Sequence, residues 1–523
     1  MTETQTLFVR NATGLVKQLS TLDVFTWSII FFPWLTSWAG IFWVTPAYFQ
    51  NVDYYASLGV WAVIAMAIIL LCWQLTTLMP RSGGDYVFIS RVLSSPLGFV
   101  AAFLFFVAIL TSAGSGSYWA FAESGTQLSF AGQALGDSGM ASLGELITPW
   151  STSSPSLLMG VGLVILFLGA ILASVGGKIF KYLIYSFFAY GAFAMLLVLG
   201  IFLSSNHASF VAAYGNYFPG GVSQVFTQAA AKGYAPGATL ASLSAVVPIL
   251  FISIGPYPVM QFVGGEIRHP RKSLLYGLVM AEVVSIVVWF GLTYLLDSLV
   301  GIPFIEAWTL TVGGGSATVP TAFATVLNPN PVLLWLIVTG LFIGNIGWSW
   351  LSLVFISRLF LAWSFDRVIP RSFAQVSDRF HTPTVAIIAA TLIAIIPMYL
   401  EYFTSFIAAQ INAVFFYSIV WFLAAVSAII LPFGRRSLYD SLISGPRKGI
   451  PVLSLLGLAG VVLFTYLGYN SITNSAIGPF SAGAQIFTAL VVAVPAVIYL
   501  ASYYYNKTKG TDLRRLHALI PPE

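Results

Sequence analysis

Residues 33–40 read PWLTSWAG, and residues 253–258 read SIGPYP. Both stretches interrupt a long apolar run with proline, glycine and hydroxyl residues, and proline lacks the backbone N–H that a helix interior needs. Inside hydrocarbon an unpaired backbone group costs several kcal/mol, so a broken membrane helix persists only where it lines a cavity. Either break alone is also explained by an ordinary proline kink. Two breaks at matched positions favour an interior site at mid-depth of a membrane protein.

The composition excludes a soluble protein. Of the 523 residues, 58% are hydrophobic and 7% are charged, whereas soluble domains carry about 25% charged residues. The single cysteine, Cys72, excludes internal disulfides and Cys-based metal sites. The four histidines lie outside the apolar runs, which argues against haem ligation and zinc hydrolysis within the membrane. No Walker A pattern is present, and we expect no cofactor, no metal site and no enzymatic activity.

Twelve apolar runs are long enough to cross a bilayer, which takes about 20 residues per helix. We predict spans at residues 22–47, 56–79, 97–121, 156–176, 182–204, 241–264, 274–298, 331–357, 384–403, 405–432, 451–470 and 482–505. Residues 1–21 are polar and lack the apolar core and cleavage site of a signal peptide. We therefore interpret them as a cytoplasmic N-terminal segment that precedes the first span.

The positive charges give the chain an orientation. If the N-terminus is cytoplasmic and the spans alternate, 21 of the 22 Lys and Arg residues fall on the cytoplasmic side, and Lys232 alone falls outside. Basic residues are enriched in cytoplasmic loops because they resist translocation. An error of one span would scramble this partition, so we expect a multi-pass protein of the plasma membrane with both termini cytoplasmic. The same partition explains the basic pI without nucleic-acid binding.

The matched breaks divide the chain into two halves. The broken spans are the first helices of residues 22–204 and 241–432, which we interpret as two five-helix repeats separated by an external loop at residues 205–240. Corresponding interrupted spans are the best sequence indication of a transporter with inverted repeats and a site at the membrane midplane. Residues 433–505 then supply two additional helices, and residues 506–523 form a cytoplasmic tail.

The external loops differ from the cytoplasmic ones. Residues 125–155, 205–240 and 299–330 are longer and rich in Gly, Ser, Thr and Pro. We expect short helices there, lying on the surface.

Ionisable residues inside spans are costly and usually functional. Glu282 lies about nine residues into the seventh span, where it serves either as a proton or cation site or as the partner of a neighbouring hydroxyl. Glu123 and Asp297 lie near the outer ends of their spans, and we expect both at the membrane interface.

Three cytoplasmic stretches carry a family resemblance. Residues 79–86 read MPRSGGDY, residues 265–272 read GEIRHPRK, and residues 357–383 contain SRL, DRVIP and TP. In this order they resemble the P-x-x-G-G-x-Y, E-x-x-x-P-x-(K/R) and S-R…R-D-x-x-x-P…T-P signatures of the amino acid–polyamine–organocation superfamily. The resemblance covers the chain from about residue 20 to the end, although Asp366-Arg367 reverses the usual charged pair.

The resemblance implies an all-α polytopic protein with a leucine-transporter-like fold, a five-plus-five inverted repeat and two further C-terminal helices. It also implies an amino acid permease, a secondary active transporter that moves its substrate by alternating access. The substrate would lie between the broken first and sixth helices, beside the third, eighth and tenth. Charged residues at the cytoplasmic helix ends would either form a gate of ion pairs or only anchor the helices, and they are Arg81, Glu266, Arg358, Asp366 and Arg367.

Helix ends can bind a zwitterion without charged side chains, because a helix N-terminus carries a fractional positive charge. We expect free amides near Trp38–Gly40 to hold a carboxylate, and free carbonyls near Thr36 and Ile252–Ile254 to hold an ammonium. Few charges lie within the spans, so a neutral amino acid is the expected substrate. The residues predicted to bind it are Thr36, Ser37, Trp38, Ala39, Gly40, Phe251, Ile252, Ser253, Ile254, Gly255 and Tyr257.

The coupling ion stays open between Na⁺ and H⁺. Sodium would use backbone carbonyls with the hydroxyls of Ser349 and Ser352, although such serines also bond back to their own helix. Protons would use Glu282. Trp38 departs from the resembled pattern, which has a small residue at this position. This departure leaves open the hypothesis of a transporter of the same fold for another organic cation or metabolite. A channel or a membrane enzyme subunit is the alternative from a different class.

Overall fold

The protein is described by a computed structural model that covers residues 14–255, 258–311, 319–404, 413–443, 451–474, 478, 482–511, 513 and 519. These residues form helices joined by short loops. In chain order the α-helices are α1 Thr21–Phe31, α2 Trp34–Tyr48, α3 Tyr54–Leu78, α4 Asp85–Val92, α5 Ser95–Leu135, α6 Ser138–Ile147, α7 Pro155–Val175, α8 Gly177–Leu203, α9 His207–Tyr217, α10 Gly221–Ala231, α11 Leu243–Ile254, α12 Pro270–Leu299, α13 Ile302–Thr311, α14 Val319–Leu327, α15 Pro331–Phe365, α16 Thr384–Phe403, α17 Ala413–Gly434, α18 Arg436–Leu442, α19 Val452–Thr473 and α20 Ala482–Thr508.

The predicted all-α polytopic fold is confirmed. Eleven helical segments of the described chain are long and apolar enough to cross a bilayer, and they coincide with eleven of the twelve predicted spans. The remaining predicted span, the sixth, contains the shorter apolar helix α11, which ends at Ile254. Short 3₁₀ turns at Val259–Phe262 and Gly264–Glu266 follow it.

Both predicted breaks are present. In the first span α1 ends at Phe31 and α2 begins at Trp34, with Pro33 between them in an extended conformation (φ −61°, ψ 126°). Proline permits this turn because its ring fixes φ near −65° and it has no N–H to leave unpaired. In the sixth span α11 stops before Gly255, whose backbone is extended (φ −53°, ψ 142°). The breaks therefore follow directly from the local sequence.

The third and eighth spans extend well beyond their predicted ends. Helix α5 has 41 residues and α15 has 35, so at 1.5 Å per residue both are longer than the roughly 30 Å hydrocarbon core. They pack closely along their length, since Ser349 donates to the carbonyl of Ala113 (2.6 Å) and Ser124 to that of Val338 (3.2 Å). A side chain at Gly116 would collide with Ser349. Small residues at the contact allow this approach, as is usual between membrane helices.

The expected short external helices are present, but two of them do not lie on the surface. Helices α13 and α14 are largely buried beneath α9 and α10, where Phe304 and Phe323 contact Phe210. Glu306 on α13 is 2% exposed and accepts hydrogen bonds from the amides of Asn51 (2.9 Å) and Val52 (3.0 Å). The surface prediction was wrong here because these apolar segments cover the end of the bundle that is predicted to be external.

The periphery of the bundle is apolar. Large hydrophobic side chains are exposed along α7, α12, α16, α19 and α20, among them Leu168, Val287, Leu392, Val462 and Val497. Such a surface suits lipid and not water. The broken helices lie inside this ring together with α5, α15 and α17.

Candidate functional site

A cavity of about 160 Å³, called the main cavity below, lies where the two broken helices meet. Its walls come from the first, third, sixth, eighth and tenth spans, the same helices that the resemblance implies. The lining residues are Phe31, Phe32, Pro33, Thr36, Ser37, Gly40, Val44, Ala108, Thr111, Ser112, Trp119, Glu123, Ile252, Ser253, Asn345, Trp348, Ala413 and Tyr417.

The first broken helix presents its N-terminal turn to this cavity. Helix α2 begins at Trp34, no side chain caps it, and Ser37 is the first residue whose amide bonds back, to the carbonyl of Pro33 (2.9 Å). The amides of Trp34–Thr36 consequently have no partner within the helix, and they carry the positive end of its dipole. This is one turn earlier than predicted. The amides of Trp38–Gly40 lie inside α2, because Pro33 and not the later glycine sets the break.

The sixth span presents a helix C-terminus. Ile252 and Ser253, in the last turn of α11, line the cavity. The last carbonyls of a helix lack intrahelical donors and carry partial negative charge. The two broken helices approach closely, since a Cβ placed on Gly40 would lie 3.4 Å from Cβ of Ser253. The last turn of α11 therefore lies against the second turn of α2, and both helix termini line the same cavity.

The other predicted binding residues have different surroundings. Trp38 is fully buried against Phe202 (ring centroids 5.6 Å apart), and Ala39 is buried beside it. Phe251 packs between Trp61 and Trp421. The predicted site residues outside the main cavity are therefore Trp38, Ala39, Phe251, Ile254 and Gly255, and Tyr257 lies outside the described residues.

The sequence interpretation missed a buried polar pair in the cavity wall. Glu123 on α5 is 6% exposed, and its Oε2 accepts a hydrogen bond from Nδ2 of Asn345 on α15 (2.8 Å). The interfacial placement of Glu123 was wrong, because α5 continues for three turns beyond it under the external helices. The sequence does indicate that Glu123 and Trp119 face the same side of the helix, since they stand four residues apart.

A second, smaller cavity of about 30 Å³ lies behind the breaks. It holds Glu282, whose side chain is 3% exposed and whose Oε1 has no hydrogen-bond partner in the described part of the chain. The hydroxyl groups of Ser28 and Ser285 line it as well. Residues from both helix ends complete the wall, namely Ile29, Phe32, Ile254 and Gly255. A cavity of this size holds a water molecule or a small ion.

Ser349 and Ser352 lie at neither cavity. Ser349 donates to the carbonyl of Ala113 on α5 (2.6 Å), and Ser352 donates back to the carbonyl of Trp348 on its own helix (2.8 Å). The sodium role of these two hydroxyls stays a prediction. Among the described residues, no group of three or more His, Cys, Asp or Glu side chains is placed to hold a metal ion.

Two buried ion pairs lie at the end of the bundle that is predicted to be cytoplasmic. Arg358 contacts Glu266 through Nε–Oε1 (2.7 Å) and a second hydrogen bond of 3.0 Å. Asp366 pairs with Arg91 through hydrogen bonds of 2.6 and 2.7 Å. Arg91 was not among the predicted gate residues, although it follows the same junction motif.

The remaining predicted gate residues are placed differently. Arg367 has a left-handed backbone (φ 60°) and donates to the hydroxyl of Thr511 (3.0 Å) in the C-terminal tail. Arg81 donates to the carbonyl of Pro80 (3.1 Å). Neither of these contacts is an ion pair across the bundle.

Asp85 adds a third polar contact at this end. Its Oδ2 accepts a hydrogen bond from Nε2 of Gln261 (2.5 Å), so it links the start of α4 to the segment after the sixth break. Both side chains are buried. Burial raises the pKa of Asp85 from its ordinary value of 3.8 to about 7, because the charged form is poorly solvated there.

The comparison with known families agrees with the geometry. No curated protein matches the chain. The sequence model of a family described as amino acid permease matches residues 22–500, which is most of the 523 residues. A permease moves its substrate and does not transform it, so the family indicates a transporter and not an enzyme. From the broken helices, the cavity between them and this match, we conclude that the chain belongs to the amino acid permease family of the amino acid–polyamine–organocation superfamily.

Proposed function

We propose that the protein is a secondary active transporter that moves an amino acid or a related amine across the plasma membrane by alternating access. The observation that supports this most strongly is the position of the main cavity. It is lined by the uncapped N-terminal turn of α2 and by the last turn of α11. These are the groups that a zwitterion needs, without any charged side chain.

In this proposal the substrate carboxylate accepts hydrogen bonds from the amides of Trp34–Thr36. Backbone amides at a helix N-terminus are a favourable anion site, since they add directed donors to the positive end of the dipole. The α-ammonium lies against the terminal carbonyls of α11 near Ile252 and Ser253. Thr36 and Ser253 line the same cavity, so both helix ends lie within reach of one small molecule.

The neutral substrate expected from the sequence depended on an interior free of charge. Glu123 in the cavity wall removes that premise.

Glu282 is the proposed coupling group. Its carboxyl lies in the small cavity that both broken helices line, so binding of a proton there can influence the same helix ends that hold the substrate. An unpaired carboxylate within a membrane is costly, and such residues commonly mark proton pathways. Sodium coupling through Ser349 and Ser352 is the alternative, and it would require both hydroxyls to leave their present carbonyl partners.

The ion pairs Arg358–Glu266 and Arg91–Asp366 are the proposed gate. Each pair links separate segments at the predicted cytoplasmic end and is nearly inaccessible to solvent. A buried pair that opens must be rehydrated on both sides, and water entering an open inner vestibule supplies that hydration. The clustering of Lys and Arg in loops at this end supports cytoplasmic termini.

The direct test is uptake by purified protein reconstituted in proteoliposomes. We expect saturable, stereoselective accumulation of an amino acid or amine that is driven by an ion gradient or by counter-substrate, and the comparison of sodium with proton gradients identifies the coupling ion. Absence of gradient-driven uptake and of exchange across a panel of amino acids and polyamines would contradict the proposal. Ion currents that exceed any transporter turnover would instead indicate a channel.

A further inference from the structure

We propose that Glu123 and Asn345 form a subsite for a second positively charged group, so that the substrate class is an amino acid with a cationic side chain. This inference rests on the proposed function, since it takes the main cavity as the substrate site. It extends that function by assigning a subsite and a substrate charge.

The hydrogen bonds of the pair determine which atoms remain for a ligand. Nδ2 of Asn345 donates to Glu123 (2.8 Å) and also to the carbonyl of Leu341 (3.1 Å). Both neighbours are acceptors, so the amide must point its nitrogen at them and its oxygen away. Within the described residues, the hydrogen bonds of this pair use Oε2 of Glu123 and Nδ2 of Asn345, which leaves Oε1 and Oδ1 for a ligand. When Glu123 is ionised, both free atoms of the pair are therefore acceptors.

A site built only of acceptors suits a ligand that only donates. Ammonium and guanidinium groups have several N–H donors and no acceptor, and their hydrogen bonds to a carboxylate are about twice as strong as neutral ones. A second carboxylate or a carbonyl group would find no free donor on an ionised Glu123–Asn345 pair.

The charge of the cavity leads to the same conclusion. Among the described residues, its lining includes Glu123 but no Lys, Arg or His. The helix ends already match the opposite charges of a zwitterion, which leaves the carboxylate of Glu123 without a counter-charge. A buried carboxylate is stable only when it is paired or neutralised. A substrate with net charge +1 supplies the missing charge.

Aromatic residues support a cation at the same place. Trp119 precedes Glu123 by four residues on α5, and Trp348 follows Asn345 by three on α15. At these spacings the side chains share a helix face, and both tryptophans line the cavity. Tryptophan rings attract cations through their electron-rich faces.

The subsite lies close enough to the helix break to serve the same molecule. Gly344, the neighbour of Asn345, lies against the break, since a Cβ placed on it would be 3.1 Å from Pro33 and 3.3 Å from Thr36. One amino acid can therefore place its carboxylate at α2 and extend its side chain toward Glu123.

The test compares isosteric ligands that differ in charge. Binding of L-lysine and L-norleucine, and of L-arginine and L-citrulline, is measured on the purified full-length protein by thermal shift and by competition in uptake. We expect wild-type protein to bind the cationic member of each pair at least about tenfold more tightly, which corresponds to about 1.4 kcal/mol. Glu123→Gln should abolish this preference and leave the binding of norleucine unchanged.

Glu401→Gln is the matched control. Glu401 is also a buried membrane carboxyl, but it lies on α16, contacts Ser115 (3.4 Å) and is not part of the cavity lining. This variant should keep the wild-type preference for the cationic ligands.

Each other result would overturn the inference. Equal wild-type affinities for the two members of a pair would do so even if Glu123→Gln failed to fold. An equal loss for lysine and norleucine in Glu123→Gln would mean that Glu123 binds the α-ammonium that all amino acids share. A changed pH profile with an unchanged charge preference would make Glu123 a proton carrier. If none of the four ligands and no other amino acid or amine binds or is taken up, the proposed function itself is overturned, and this inference with it.

Discussion

The guanidinium of Arg358 and the carboxylate of Glu266 lie side by side, joined by two hydrogen bonds of 2.7 and 3.0 Å. The pair connects α15 to the segment that follows the sixth break. The backbone carbonyl of Glu266 also accepts the amides of Gln18 and Leu19, both at 2.9 Å. One residue thus ties the eighth span and the chain entering the first span to the segment behind the broken sixth helix.

The first prediction concerns this pair. Arg358→Ala should destabilise the protein by about 3–5 kcal/mol, because it leaves the buried Glu266 carboxylate without a partner. Arg358→Lys should recover only part of the loss, since an ammonium cannot form the two parallel bonds of a guanidinium. Melting temperatures of the purified variants measure both effects.

The exposed pair Arg436–Asp440 (3.5 Å) provides the control. Its side chains are 75% and 49% exposed, so Arg436→Ala should not change the melting temperature measurably. A decrease in melting temperature as large as that of Arg358→Ala would show that burial does not explain the stabilising effect of the Arg358–Glu266 pair.

The second prediction uses the close approach of the broken helices. Gly40→Ala should be tolerated, because its Cβ would make an ordinary 3.4 Å contact with Ser253. Gly40→Val should reduce substrate affinity more than tenfold without unfolding the protein, because its additional methyl groups enter the cavity. Binding assays on monodisperse protein measure this, with Gly59→Val as the control, since a Cβ at Gly59 meets nothing within 4 Å. Unchanged substrate affinity in Gly40→Val would show that the substrate does not bind in this cavity.

The third prediction separates coupling from substrate binding. Glu282→Gln should abolish accumulation driven by a proton gradient, because an amide cannot take up and release the proton, while exchange of bound substrate continues. Parallel measurements of gradient-driven uptake and counterflow in proteoliposomes distinguish the two activities. If the variant keeps the wild-type pH profile of uptake, Glu282 is not the coupling group.

The fourth prediction is a pH dependence of stability. The pKa of Asp85 is about 7 in the folded protein and near 3.8 when the carboxyl is solvated, so between these values the folded state holds a proton that the unfolded state has released. Stability from this group is therefore lost as pH rises from about 4 to 7, by up to about 1.4 kcal/mol per pH unit.

Asp85→Asn tests this dependence, since it is neutral at every pH. We expect the variant to match wild type at or below about pH 4 and to melt at a higher temperature than wild type at pH 8, with the difference growing between these values. Asp440→Asn, at an exposed position, should follow wild type throughout. A constant difference between Asp85→Asn and wild type at both pH values would contradict the titration of Asp85.

The fifth prediction concerns Glu306 on α13. The carboxylate of Glu306 accepts hydrogen bonds from Asn51, Val52 and the hydroxyl of Tyr234 (2.9 Å). Glu306→Ala should cost on the order of 3 kcal/mol, because it leaves buried donors without acceptors. Glu306→Gln should cost less, since its carbonyl oxygen still accepts. Melting temperatures measure both, and equal losses would mean that side-chain volume matters more than these hydrogen bonds.

The two helix breaks illustrate what sequence reasoning reaches. Pro33 and Gly255 interrupt their spans through local backbone chemistry, so their effect is visible in a few neighbouring residues. The start of α2 was nevertheless placed one turn late, because the break falls at Pro33 and the helix runs on through Gly40. The amides without a partner in α2 are accordingly those of Trp34–Thr36 and not those of Trp38–Gly40.

Glu123 illustrates what sequence reasoning missed. Its partner Asn345 is 222 residues away in the chain, and the partner of Arg91 is 275 residues away. No local pattern links such positions, and a carboxyl near the end of an apolar run looks like an interfacial residue until the helix is seen to continue.

The membrane class, the positions of the spans and the location of both breaks follow from the sequence alone, because hydrophobic length and the backbone limits of proline act over short stretches. The folded structure was needed to show which polar groups face the cavity, which ion pairs form at its predicted cytoplasmic end, and that Glu123 lines the cavity. Those outcomes depend on how helices distant in the chain pack side by side. A carboxylate becomes a binding group or an interfacial residue according to the neighbours that this packing gives it.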